Sequence, residues 1–455
     1  MSESLIQNLR DVLPAVRSDL EDLVRIESVW ADPQRRDEVT RSAEAVATLL
    51  RDAGFAEVDI ASEIGAPAVI AHHPAPPGAP TVLLYAHHDV QPEGDHALWD
   101  TPPFEPTERG ERLFGRGAAD DKAGIAAHLA AFRAHGGNPP VGVTVFVEGE
   151  EESGSPNLVP FLAKYRDVLA ADVIVIADSA NWDIGTPALT TSLRGLVDLE
   201  VEVRTLEHAV HSGLWGGVAP DALTALCRLL ATLHDAEGNV AVEGLHVGTA
   251  AELEYPEDRL RAESAMLDGV HQLGSGSVVE RLWAKPAIAV TGLDAPKATG
   301  ASNTLVPSAR AKISMRIAPG SDPQESMDAL ARHLRDNAPW GAEVHVDPGE
   351  QGGAYEIDAN GPAYDAARAA FREAWDGTDP VDIGMGGSIP FIAEFAKTFP
   401  DAAILVTGVE DPDTRAHGIN EGLHLAEFER VCIAETLLLA KLAEPPPADE
   451  SLLAP

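Results

Sequence analysis

The sequence predicts an α/β protein: a domain with a largely parallel sheet, interrupted by an inserted α+β domain. Apolar runs alternate with helical patterns as far as about residue 180, which is the signature of buried parallel strands. After Trp182 the strands instead alternate apolar and charged residues, and the first pattern returns beyond about residue 350. At 455 residues the chain exceeds one ordinary core, so two domains, or one carrying an insertion, are expected.

The elements follow in order. "MSESLIQNLRDVLPAVRSDLEDLVRI" has amphipathic helix spacing but neither the basic start nor the continuous apolar block of a secretory signal. "TVLLYAHHD" then reads as a strand, "DDKAGIAAHLAAFRAHG" as a helix, "VGVTVFVEGEEE" as a strand, "NLVPFLAKYRDVL" as a helix and "DVIVIADSA" as a strand. In "LVDLEVEV", residues 196–203, Val197, Leu199, Val201 and Val203 oppose Asp198, Glu200 and Glu202, as in a strand with one wet face. "ARAKISMRI" and "AEVHVD" repeat that alternation, with helical stretches "APDALTALCRLLATLHD" and "DPQESMDALARHLRDN" between them. An antiparallel sheet with helices on one face is therefore expected at 190–350, between α/β segments 1–189 and 351–445. The Pro-rich acidic tail, 446–455, is expected to be disordered.

Composition excludes some functions. With 73 acidic and 33 basic side chains, a formal charge of -40 argues against nucleic acid and anionic membranes as partners. No segment reaches the ~20 apolar residues of a membrane span. Cys227 and Cys432 both lie in apolar helical stretches and read as small core residues, with no disulfide framework. A cytoplasmic location is expected. The acidity itself reads as solubility or salt adaptation and names no substrate.

Three apolar strands end in metal-ligand residue types: His87, His88 and Asp89; Glu150, Glu151 and Glu152; and Asp178. In open α/β sheets the ligand crevice lies at the carboxyl ends of the strands, so groups scattered in sequence would converge there. "GRGAADDKAG" adds Asp120 and Asp121 between a glycine-rich turn and a helix, and "TRAHGINEG" adds a late histidine. Each cluster alone is ordinary, since strand-end acids cap helices and a lone "HHD" is most often a surface turn. Their joint occurrence at every strand end of this half is what points to a metal site.

In order along the chain, "AHHDVQP", "GRGAADDKAG", "EGEEESGS", "ADSANW", "HAVHSGLWGG", "NTLVPSARAKISMRI", "GMGGSIP" and "AHGINEG" resemble the co-catalytic zinc aminopeptidase-like amidohydrolases. That superfamily includes carnosinase-type dipeptidases, aminoacylase, succinyl-diaminopimelate desuccinylase and glutamate carboxypeptidase, and the dipeptidase branch is the most similar. The resemblance implies two divalent ions, zinc first with manganese or cobalt as alternatives. It makes Asp120 the bridge, His87 and Asp178 the ligands of one ion, and Glu152 and His417 those of the other. It also implies a cis peptide between Asp120 and Asp121.

The metal histidine of the pattern precedes the aspartate by two residues, which selects His87 and makes Asp89 its orienting carboxylate. Strand geometry agrees, because residues i and i+2 face the same way and His88 points elsewhere. Glu151 is implied as general base, with Glu150 as its competitor within the run. His211 of "HSG" would stabilise the oxyanion of a partner subunit's site in a homodimer formed through the inserted domain. Arg316 would clamp a substrate carboxylate, with Thr304, Ser388 and Gly387 as further substrate contacts.

The expected activity is hydrolysis of dipeptides or short peptides with a free C-terminal carboxylate. The same metal set also serves N-acyl-amino-acid deacylases and carboxypeptidases, and a non-catalytic metal- or peptide-binding protein is the reading from another class.

Overall fold

The structure, a computed structural model, describes residues 2–387 and 390–444; the tail at 446–455 lies outside the described residues. The chain forms two compact units, one running to Thr191 and resuming over Asp358–Ile383 and from Glu394, the other comprising Ser192–Ile357 and Gly384–Ala393.

The first unit is built on a six-stranded sheet in the order Glu57–Ala61, Ala68–His73, Gly142–Glu148, Thr81–His87, Val173–Ile176, Ala403–Val406. The last four are mutually parallel, and Ala68–His73 runs antiparallel to both its neighbours. Val82, Leu83, Leu84 and Tyr85 are wholly buried, as the unbroken apolar run requires. On one face Tyr85, Phe146, Phe161 and Phe395 form an aromatic layer with centroids 4.9–5.5 Å apart. Each such ring contributes about 1.5–3 kcal/mol through burial.

Helices Ser2–Val24, Lys122–Ala134 and Leu425–Leu442 pack together in the same unit, and Lys122–Ala134 lies against Thr81–His87. Lys122–Ala134 is alanine-rich and buried nearly all round, so it reaches the sheet closely. At its middle His128 bonds Glu435 at 2.8 Å and the carbonyl of Tyr85 at 3.0 Å, joining helix, helix and strand.

In the second unit an antiparallel sheet runs Ala287–Asp294, Ser308–Ile317, Gly195–Arg204, Glu343–Gly352. Val197, Leu199, Val201 and Val203 are fully buried with Ala225, Leu226, Leu229, Leu330 and Leu334. Those residues belong to helices Ala222–Leu230 and Pro323–Asp336, which cover that face. Asp198 lies on the opposite face yet is buried, because a bulge between Pro348 and Gln351 folds over it. There its carboxylate meets Lys312 Nζ at 3.0 Å and the amide of Glu350 at 3.1 Å.

One expectation needs correction. Cys227 is exposed and only Cys432 is buried; Ala222, Ala225, Leu226 and Leu229 make the buried stripe and leave Cys227 off it. The edge strand Ala287–Asp294 has no clean alternation, because the pairing shifts between Val290 and Gly292 and most of it is exposed. Among the described residues no helix is long and apolar enough to cross a membrane.

Candidate metal centre

Because Thr81–His87, Gly142–Glu148 and Val173–Ile176 are parallel, their carboxyl ends share one edge of the first unit's sheet. His87 closes the first strand, Glu151 and Glu152 open a short 3-10 turn after the second, and Asp178 follows the third. Asp120 stands just before helix Lys122–Ala134, with a cis peptide to Asp121. His417 lies in the loop before strand Gly422–His424.

These side chains gather into two groups, His87 with Glu151 and Asp178, and Asp120 with Glu152 and His417, each with ligand atoms within 4.8 Å of one another. Asp120 joins the groups: one oxygen is 3.1 Å from His87 Nε2 and the other 2.9 Å from His417 Nε2. Glu152 is 3.1 Å from His417 Nε2, and Asp178 and Glu151 are each 3.9 Å from His87 Nε2.

The surroundings explain which groups face the centre. His87 Nδ1 bonds the main-chain carbonyl of Asp89 at 3.0 Å, leaving Nε2 as the ligand atom. The Asp89 carboxylate, expected to make that bond, stands 3.6 Å from Nδ1 and instead accepts the amides of Glu151 and Glu152, both at 3.1 Å. It therefore holds the turn that carries those two acids. His88 turns away, its Nε2 bonding the carbonyl of Pro67 at 2.8 Å. Glu150 also turns away and accepts the amides of Ala66 and Asn157 at 3.0 Å. Gly124 is required beside the site, since a Cβ there would come within 2.3 Å of Asp121 Oδ1.

The electrostatics test whether a cation suits this donor set. Burial and then Asp178 push the Glu151 carboxyl well above its usual range. Burial raises Asp178 to about 7, and hydrogen bonds donated to Asp120 and Glu152 lift His417 to about 11. Four carboxylates thus confront two imidazoles, and against the effect of burial the bond to Asp120 holds His87 well above its usual range. Such a surplus of negative charge on nitrogen and oxygen donors fits divalent cations.

The remaining expected residues belong to the second unit. His211 lies directly opposite Thr304 in a short antiparallel pair. Its Nδ1 accepts the amide N–H of Gly213 at 3.0 Å, so the neutral ring carries its proton on Nε2. Arg316 sits opposite Leu196 on the face away from the helices. The space around Gly387 is open, and Ser388 lies outside the described residues.

Sequence reasoning missed two residues. Arg194, two positions before Leu196 and so on the face of Arg316, is 8% exposed and bonds the carbonyls of Gly386 at 3.3 Å and Lys285 at 3.4 Å. Burial, then the charge of Arg316, lowers it to about 10; a lone arginine within "SLRGL" was its signal. Glu410 follows the fourth parallel strand, bridged to Ala180, and burial, then Asp120 and Asp178, raises its carboxyl well above the usual range.

Comparison with known proteins accords with this geometry. Residues 83–441 match the family described as Peptidase family M20/M25/M40. A cysteinylglycine-S-conjugate dipeptidase of Corynebacterium striatum is 35% identical over 95% of this chain and 96% of its own. The β-Ala-His dipeptidase of Rattus norvegicus is 30% identical over 93% of this chain and 89% of its own. The crystal structure of human carnosine dipeptidase 1 superposes with a TM-score of 0.77 at 25% identity, covering 97% of this chain and 98% of that one. The protein therefore belongs to peptidase family M20/M25/M40 and fits its carnosinase-type dipeptidase branch.

Proposed function

We propose that the protein hydrolyses the amide bond of dipeptides and short peptides bearing a free C-terminal carboxylate, using two divalent metal ions. The observation that carries this reading is the shared carboxylate of Asp120, whose two oxygens lie 3.1 and 2.9 Å from the imidazoles of His87 and His417. His87 and Asp178 would hold one ion and Glu152 and His417 the other, with zinc first and manganese or cobalt accepted by the same donors. Bound there, the ions would supply a nucleophile at neutral pH and polarise the scissile carbonyl.

Glu151 would take the proton from the attacking water and pass it to the leaving nitrogen. Its support is position: it stands beside His87 and Asp178, in the turn that Asp89 holds. Glu150, committed to two backbone amides, is not available for that work. Asp89 fixes the turn from which Glu151 acts.

Arg316, with Arg194 beside it, would bind the substrate's terminal carboxylate, a task suited to planar guanidinium groups. Gly387, Thr304 and Ser388 would complete the substrate contacts. The Nε2–H of His211 would donate to the developing oxyanion of a partner subunit's site. A homodimer is supported by Leu214, Trp215 and Val218, which follow His211 and are 76%, 54% and 87% exposed. The relatives named for cysteinylglycine conjugates and β-Ala-His favour a dipeptide as substrate. The two free cysteines accord with the cytoplasm.

The test is a panel of a dipeptide, its C-terminal amide and an N-acetyl amino acid, assayed with added zinc, manganese or cobalt. Fast cleavage of the dipeptide, slow turnover of its amide and none of the N-acetyl amino acid are expected. Preference for the N-acetyl amino acid would transfer the protein to the deacylases.

A further inference from the structure

We propose that Glu421, clasped by Arg116, is a positioning residue that holds the Asp120 loop and the His417 loop in register, and so sets metal affinity without touching a metal. The inference rests on the two-metal reading above.

Glu421 is fully buried and Arg116 is 2% exposed. One carboxylate oxygen of Glu421 accepts Arg116 Nη1 at 2.7 Å and the amide of Gly117 at 3.0 Å. The other accepts the amides of Ala119 at 2.9 Å and of Asp120 itself at 3.2 Å. Its main-chain carbonyl takes the amide of Gly115 at 3.0 Å. One side chain thus gathers the segment that ends in the shared ligand. Arg116 extends the clasp, with Nη2 3.0 Å from the carbonyl of Gly418, next to His417, and 3.4 Å from that of Pro92.

The His417 loop needs such a tie. Arg415, His417 and Asn420 all adopt left-handed backbone, with φ of 58°, 61° and 60°, which L residues other than glycine rarely occupy. The His417 side chain is itself 58% exposed, so packing does not fix it. Asp100 pairs with the Asn420 side chain at 2.9 and 3.2 Å, but nearer His417 the segment is reached by Arg116 at Gly418 and, through Glu421, by the backbone of the Asp120 loop. Retaining a buried carboxylate near Asp120 is costly, and burial indeed raises the Glu421 carboxyl against the opposing pull of Arg116. A carboxylate can accept four converging N–H donors at once, which no apolar replacement could do.

The experiment is zinc competition against a chromophoric chelator, using chelator-stripped wild type, Glu421→Gln, Arg116→Lys and His417→Ala, with urea unfolding of each stripped protein alongside. Glutamine keeps the shape of Glu421 but turns a donor toward the amides. Its zinc affinity should fall about 10–100-fold at the site that His417→Ala abolishes, as loss of a ligand's supporting partner does. Arg116→Lys, which can pair with Glu421 but cannot also span Gly418 and Pro92, should fall between wild type and Glu421→Gln. If Glu421→Gln yields no folded protein, Arg116→Lys decides. Unchanged zinc affinity in the variants, with only the urea midpoint lowered, would overturn the proposal. A wild type that binds fewer than two zinc ions would instead overturn the two-metal reading on which it rests.

Discussion

His88 stands beside a proposed ligand yet makes the protein acid-sensitive for its own reason. It is fully buried, its Nε2–H donates to Pro67, and its Nδ1 has no hydrogen-bond partner. Burial therefore pushes its pKa from 6.5 down to about 4. Between those values the unfolded chain carries one proton that the folded chain refuses, so stability falls as pH falls. At 1.36 kcal/mol per unit over about 2.5 units, roughly 3 kcal/mol is lost between pH 6.5 and pH 4. Urea unfolding at pH 7, 6, 5 and 4, with chelator present throughout, measures this in wild type and His88→Gln. The variant should be the less stable at pH 7, and the gap should close by about 3 kcal/mol on acidification, because every other titrating group is common to both. Stability curves that stay parallel from pH 7 to pH 4 would refute the reasoning.

Other expectations follow from the same geometry. Asp120→Asn removes the charge shared by both imidazoles, so zinc affinity measured by chelator competition should fall at both sites, and by more than the ~10–100-fold that loss of a supporting partner costs. Arg316→Gln should lower kcat/KM for a free dipeptide about 10–100-fold, the value of a hydrogen bond to a charged group, while the slow turnover of the dipeptide amide stays unchanged. Gly124→Ala should lower stability by about 1–3 kcal/mol in urea unfolding despite alanine's better helix propensity, because its methyl would meet Asp121 at 2.3 Å.

Much of this architecture is legible in the residues. Unbroken runs such as Val82–Tyr85 mark strands buried on both faces, and the residues that end them lie at one sheet edge because the strands are parallel. Glu410 obeys the same rule after Ala403–Val406, but a four-residue strand followed by Thr407 and Gly408 gives a faint signal. Choices within a run depend on where each carboxylate finds donors. Glu150 is separated from Glu151 by the amides of Ala66 and Asn157, which are distant in sequence. The sequence likewise places Asp89 beside His87, but the division of labour, in which its carbonyl orients the ring while its carboxylate holds the Glu151 turn, depends on the folded loop. Arg194 is legible only in part: its apolar neighbours imply burial, but its place beside Arg316 depends on the register of two strands over a hundred residues apart in sequence. Cys227 could have been assigned to the outer surface from the spacing of Ala222, Ala225, Leu226 and Leu229 alone.

The central claim is that Glu151 moves the proton while other side chains hold two metal ions. Glu151→Gln, assayed for dipeptide turnover and for bound metal on the same sample, tests it most directly. The account predicts two metal ions per chain, as in wild type, and a fall in kcat of at least ~100-fold, the lower end of what general base catalysis contributes. Full turnover with two ions bound would contradict the role given to Glu151, and loss of an ion together with activity would show it to be a ligand instead.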